Sequence, residues 1–376
     1  MSALSTGRTS CKAGFPVARS APAPSRRKTA DGKSAAERPG GRASSRSSGS
    51  VTLSDVAKLA GVSPITVSRV LNRPELVTQN TIDVVREAIA RTGYVPNLLA
   101  GGLASKRSRL VAAIVPTIAS SMFAETVEAL TDKLGESGYQ VLLGLSGYPA
   151  IREDGLLDAI LGRRPDGILL TGIMHSPATR QRLLAAGIPV VEIWDYTPTP
   201  IDTLVGFSHE KAGDAVARHL LGKGRRRLAV VGADDDRAIL RRNGFRAALA
   251  GQGITDVPAV TVPAPGTLRT GRDGMARLLD GGARPDAVFC SSDIVAQGVL
   301  AEAQSRGISV PGDLAVMGFG DLDFAAYTFP ALSTVRIDRR AMGRIAAETM
   351  LARMEDRGDI ERVIDIGFEV IERAST

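Results

Sequence analysis

The chain has 376 residues, 44% of them hydrophobic, which is enough to fill the cores of two or three domains. No run of 18 or more uninterrupted apolar residues is present, which excludes a helical membrane span. The early residues lack the apolar stretch of a secretory signal, so a cytoplasmic protein is expected. The net charge of +7 is lopsided: residues 1–50 carry +8 and residues 51–110 carry +4, leaving −5 on the rest. That imbalance implies a polyanion partner for the front of the chain only.

Residues 1–50 are dominated by Ser, Gly, Pro and Arg with no apolar period, and read as a disordered basic tail. Cys11 and Cys290 stand far apart and read as reduced thiols. With three histidines they assemble no zinc cluster at standard spacing, and no metal or cofactor is expected.

Order is expected to begin at "VTLSDVAKLAGVSPITVSRVLN". Thr52 followed by Asp55 has the spacing of a capping box, and Val56, Leu59 and Ala60 form one apolar helix face that Gly61 ends. Ser63 and Pro64 supply the cap and first turn of a second helix. Val67, Val70 and Leu71 face its core, leaving Ile65, Thr66, Ser68 and Arg69 outside. A third helix runs from Thr78 through Ile82, Val85 and Ile89 to Gly93. Two short helices joined by a glycine turn, completed by a third, make a helix-turn-helix over 51–96. In such a unit the second helix enters the major groove. Pro64, Ile65 and Thr66 suit thymine methyls and base edges, while Arg69 and Lys58 suit phosphates.

With "GYVPN" and "LAGGLASKRS" added, this run resembles the DNA-binding headpiece of the LacI/GalR family of bacterial repressors. The resemblance continues through nearly all of residues 51–376. It implies operator contacts at Thr52, Ser63, Pro64, Ile65, Thr66, Ser68, Arg69, Asn72 and Asn97. It also implies a hinge helix over 97–107, in which Leu103 is the minor-groove wedge and Ala100 and Ala104 are its neighbours. Gly101 and Gly102 depart from a good helix, each costing about 1 kcal/mol relative to Ala, so hinge folding here is expected to lean on DNA.

From Leu110 apolar strands and amphipathic helices alternate every 20–30 residues, the pattern of an α/β fold of doubly wound parallel sheets. The strands are "LVAAIVP", "YQVLLGL", "DGILLTG" and "IPVVEIW", then, after "VGFSHEKAG", "RLAVVGA", "AVFCSSD" and "LAVMGFG". Two rounds of alternation imply two lobes around a cleft, with ligand contacts beyond the carboxyl ends of strands. The resemblance makes this a periplasmic-binding-protein-like effector core over 108–376. One lobe is expected at about 108–204 with 338–357, the other at 205–337 with 358–372. Matched motifs put the small-molecule contacts at Arg241 and Asp293, with Phe123, Glu192, Asp321 and Arg336 as weaker matches. "FAETVEAL", "VVEIWD" and "VGFSHEKAG" look most like the gluconate-utilisation branch, and an Arg241–Arg336 pair would suit a sugar-acid carboxylate. His175 reads as a solvated loop histidine, with a ligand contact as the alternative.

No G-x-S-x-G elbow, P-loop, dinucleotide fingerprint or metal motif appears, so an enzyme is not expected. A headpiece of this kind reads a pseudo-palindromic operator as a homodimer, here through the outer helices of the lobes. A sugar-binding protein without a regulatory role, a corepressor-dependent repressor and an activator remain the alternatives to a repressor released by its effector.

Overall fold

The computed structural model describes residues 51–95, 107–119, 121–148, 151–356, 358 and 360–376. The expected basic tail over 1–50 lies outside the described residues, as do the hinge contacts Asn97, Ala100, Leu103 and Ala104. The chain divides into two compact units, residues 1–95 and 96–376.

In the first unit α1 (Leu53–Ala60), α2 (Pro64–Asn72) and α3 (Gln79–Thr92) enclose a core of Val56, Ala57, Val67, Val70, Ile82, Val85 and Ala88. The capping box forms: Asp55 accepts from the Thr52 amide at 2.8 Å, and the Asp55 amide donates to the Thr52 hydroxyl at 3.3 Å. Gly61 closes α1 at φ 67°, a left-handed conformation that glycine adopts without steric cost. The buried face of α1 differs from the expected one. Ala57 is inside and Leu59 is exposed, because 56, 57 and 60 share the inner arc of so short a helix.

The second unit contains two parallel sheets. The first runs β11–β5–β4–β3–β1–β2, formed by Val363–Asp365, Thr203–Gly206, Val190–Ile193, Gly167–Thr171, Leu110–Val115 and Gln140–Leu145. The second runs β7–β6–β8–β9, formed by Ala259–Val262, Leu228–Ala233, Ala287–Cys290 and Ala315–Met317. An antiparallel ribbon of β10 (Thr334–Arg336) and β12 (Glu369–Ile371) is bridged to the second lobe through Met317–Ser333 and Gly320–Arg336. Connections after β5, β10 and β11 join the lobes. The last crossing therefore comes after Asp365 rather than at 358, because β11 pairs with β5 in the first sheet.

Helices cover both sheets. In the second lobe α7 (His209–Gly222) and α8 (Asp236–Ala250) cross at backbone contact. A Cβ on Gly213 would collide with the Arg241 carbonyl, and one on Gly244 with that of Glu210. Glycine at both crossing points thus fixes the depth at which Arg241 sits. No described helix is long and apolar enough to cross a membrane.

Candidate DNA-reading face and ligand cleft

On α2 the exposed side chains are those of Ser63, Pro64, Ile65, Arg69 and Asn72, with Thr66 and Ser68 half-buried. Two of the hydroxyls have local duties. Ser63 caps the helix by accepting from the Thr66 amide at 3.2 Å, and Thr52 is held within its capping box. Asn72 donates to the Ser68 carbonyl at 2.9 Å. Ile65 stands 65% exposed, an apolar side chain with no counterpart in its own core. Exposure of that side chain at the start of a helix beside Arg69 matches what a groove-reading helix presents to thymine methyls and phosphates.

In the second unit a cleft lies between the lobes, in two compartments that share Tyr148, Asp235 and Arg237. The inner one, about 70 Å³, is lined by Phe123, Trp194, His209, Arg241, Ser291 and Phe319, among others. The outer one, about 360 Å³, adds Glu153, Thr171, His175, Asp195 and Asp234.

Arg241 is the centre of the inner compartment. It is 5% exposed, with its guanidinium 3.8 Å above the Phe319 ring. It donates to His209 Nδ1 at 3.0 Å and to the Ser291 carbonyl at 2.9 Å, while its Nε has no partner. Burial pushes its pKa down to about 10. His209 Nε2 lies 2.9 Å from the Trp194 carbonyl. Accepting at Nδ1 and donating at Nε2, His209 is neutral, and burial followed by the nearby Arg241 holds its pKa well below the ordinary value.

Phe123, Trp194 and Phe207 stack edge to face, with centroids 5.4 and 6.1 Å apart. Trp194 sits at φ 65°, and its indole Nε1 is buried without a partner. Asp195, 2% exposed, accepts from the Tyr196 amide through one oxygen; the other has no partner, and burial pushes its pKa up to about 6. Arg237 lies over the Phe123 ring at 5.5 Å. The cleft therefore offers two arginines and an aromatic floor in its inner compartment, and the carboxylates Glu153, Asp195, Asp234, Asp235 and Asp236 around its outer one. These groups suit a small polar ligand that brings hydroxyls to the carboxylates and acceptor oxygens to the arginines.

Of the expected contacts, the structure brings Phe123 and Arg241 to the cleft and leaves the others off its lining. The Asp293 carboxylate lies below the floor, accepting from Thr334 Oγ1 at 2.6 Å and from the Leu322 amide at 2.7 Å. It fixes the 318–322 turn from beneath. Asp321 pairs with Arg336 at 2.6 Å and Arg373 at 2.7 Å, so the cationic partner of Arg241 is Arg237, not Arg336. Glu192 is buried within β4 and accepts from the Ile201 amide. His175 is not solvated: its side chain is 3% exposed, held 2.7 Å from Glu153. Asp195, Trp194 and Asp235 were missed, although each follows the carboxyl end of a strand.

A helix-turn-helix reading unit carried with a two-lobed, cleft-bearing core defines a ligand-responsive class of DNA-binding regulator. The description "Bacterial regulatory proteins, lacI family" matches residues 52–97, and "Periplasmic binding protein-like domain" matches 217–376. The HTH-type transcriptional regulator GntR of Pseudomonas aeruginosa is 41% identical over 88% of this chain and 97% of its own length. GntR of Escherichia coli K12 is 32% identical over 84% and 96%. Among solved structures, a LacI-family regulator from Silicibacter pomeroyi superposes with a TM-score of 0.82 at 34% identity, covering 86% of this chain and 99% of that one. The chain belongs to the lacI family of bacterial regulatory proteins, and is a sequence-specific DNA-binding transcriptional regulator rather than an enzyme.

Proposed function

We propose that the chain is a repressor released from its operator by a sugar acid of the gluconate type. The observation that carries this reading is the Arg237–Arg241 pair over an aromatic floor, in a cleft whose outer compartment includes Asp195 with its unpartnered oxygen. Arginine pairs charge-assisted with a carboxylate, and Asp195 accepts from the hydroxyls that a sugar acid carries. A cellobiose complex of the regulator CelR, 29% identical with a TM-score of 0.63, supports a carbohydrate-class ligand. Operator reading falls to Ser63, Pro64, Ile65, Thr66, Ser68, Arg69 and Asn72, with Thr52 holding the first helix.

Two copies on a pseudo-palindromic site follow from the short reach of one reading helix. Exposed Tyr327 and Phe329 in the second lobe, and Leu143 and Leu145 on the edge strand β2, support self-association of the core.

Trp194, the one tryptophan of the sequence, lies in the cleft and reports on it directly. Millimolar gluconate is expected to change its fluorescence, raise the Tm of the core and weaken operator binding. A response to a neutral sugar with none to gluconate rejects the sugar acid. Tighter operator binding with gluconate makes the protein corepressor-dependent instead.

A further inference from the structure

The outer compartment contains a charged cluster that the effector reading does not use. His175 follows β3 on a short loop, and its side chain is enclosed between two elements of the first lobe. Nδ1 lies 2.7 Å from Glu153 Oε1 on α5 (Ile151–Leu161). Nε2 lies 2.9 Å from the Gly172 carbonyl and 3.5 Å from Glu192 Oε1 on β4. Glu192 Oε1 has no hydrogen-bond partner, and its other oxygen accepts from the Ile201 amide at 2.6 Å. The same loop is pinned from below by Asp154, which accepts from Ser176 Oγ at 2.7 Å and Thr179 Oγ1 at 2.6 Å.

The loop faces the second lobe. Gly172 has φ 93°, and a Cβ built there would stand 3.0 Å from Arg237 Nη1, which comes from α8 across the cleft. Gly172 is therefore both a backbone position that favours glycine and the first-lobe wall against which one of the two cleft arginines rests.

We propose that Glu153, His175 and Glu192 form a buried clamp that fixes loop 172–176 and so sets the seat of Arg237, making His175 and Glu192 positioning residues for effector binding. This inference rests on the cleft being the effector site. A hydrogen bond from an imidazolium to a buried carboxylate holds orientation more firmly than a neutral one. The direction of the His175 pKa agrees: the Glu153 and Glu192 carboxylates outweigh burial and hold it at about 9. The other ionisable groups lining that compartment are Tyr148, Asp195, Asp234, Asp235, Asp236 and Arg237; among them they add more negative charge than positive. Glu192 thus influences the ligand without touching it.

The test uses the full chain, with Trp194 fluorescence titrated by gluconate and operator affinity measured without it. His175→Gln and Glu192→Gln are each expected to weaken gluconate binding about tenfold, the size of a lost charged hydrogen bond, with operator affinity unchanged. Gly172→Ala, which strains the backbone of the same loop and intrudes on Arg237, is expected to weaken it similarly. Histidine NMR of the wild type is expected to show His175 still protonated at pH 8, with its pKa lowered in Glu192→Gln. Variants that unfold at lower temperature yet bind gluconate as tightly as the wild type overturn the proposal, as does a His175 that is neutral at pH 7. If the wild type itself ignores gluconate, the ligand assignment fails, while the NMR titration still decides whether the charged clamp exists.

Discussion

The two functional regions are encoded in different ways. The candidate reading face of the headpiece comes from one contiguous stretch, Ser63 to Asn72, in which cap, core and exposed positions alternate on a single helix. The cleft draws Phe123, Trp194, Arg241 and Phe319 from four segments spread over almost two hundred residues, brought together only when both sheets and their crossings have formed. Local periodicity therefore specifies the first region, and tertiary packing specifies the second. The headpiece should tolerate changes in its exposed face without loss of fold. The cleft should not, because Arg241 satisfies His209 and Ser291 as well as lining the cleft.

The largest expected effect tests that asymmetry. Arg241→Ala leaves the His209 and Ser291 acceptors unpaired, and should cost about 2–4 kcal/mol of core stability in urea unfolding. It should also abolish the gluconate response of Trp194. Ile65→Ala should leave urea unfolding unchanged and weaken operator binding about tenfold, read by fluorescence anisotropy. An equal loss of stability in both variants would remove the distinction. Thr52→Ala removes the capping box and should cost the headpiece about 1 kcal/mol, seen as a lower unfolding midpoint by circular dichroism.

The smallest effects are those of pH. Asp195 and Asp293 are both raised to about 6 by burial, so each contributes stability that is full below the unfolded carboxylate range near 4 and lost as pH rises through 6. His175, raised to about 9, contributes stability present below 6.5 and lost as pH rises through 9. Asp195→Asn should therefore flatten the core's Tm profile between pH 4 and 6, and His175→Gln should flatten it between pH 7 and 9. A profile unchanged by either substitution would deny these groups their shifted ionisation.

Much of the fold was legible because strand runs such as "LVAAIV" and caps such as Thr52, Ser63 and Gly61 are local signals. Leu59 was misplaced because an eight-residue helix leaves its apolar face loosely defined. In the cleft, Arg241 and Phe123 lie at matched motifs, whereas the motif match at Glu192 stops short of the strand end. Glu192 lies inside β4, and the residues just beyond that strand, Trp194 and Asp195, are the ones that reach the cleft. Asp293 is expected as a ligand contact because its motif matches the family's effector-binding aspartate. Only the fold shows its two oxygens committed to Thr334 and Leu322. The pairing of Asp321 with Arg336 and Arg373, and of His175 with Glu153, joins residues 15, 52 and 22 apart, distances over which sequence carries no pairing signal.

We propose that operator reading and its control reside in separate units, with Arg241 as the group that senses the ligand. It is tested most directly by anisotropy of an operator duplex selected by this protein from a randomised library, titrated with gluconate in the presence of wild-type chain or Arg241→Ala. Gluconate is expected to release the wild type and to leave the Arg241→Ala protein bound at every concentration. Release of both at the same gluconate concentration would contradict it.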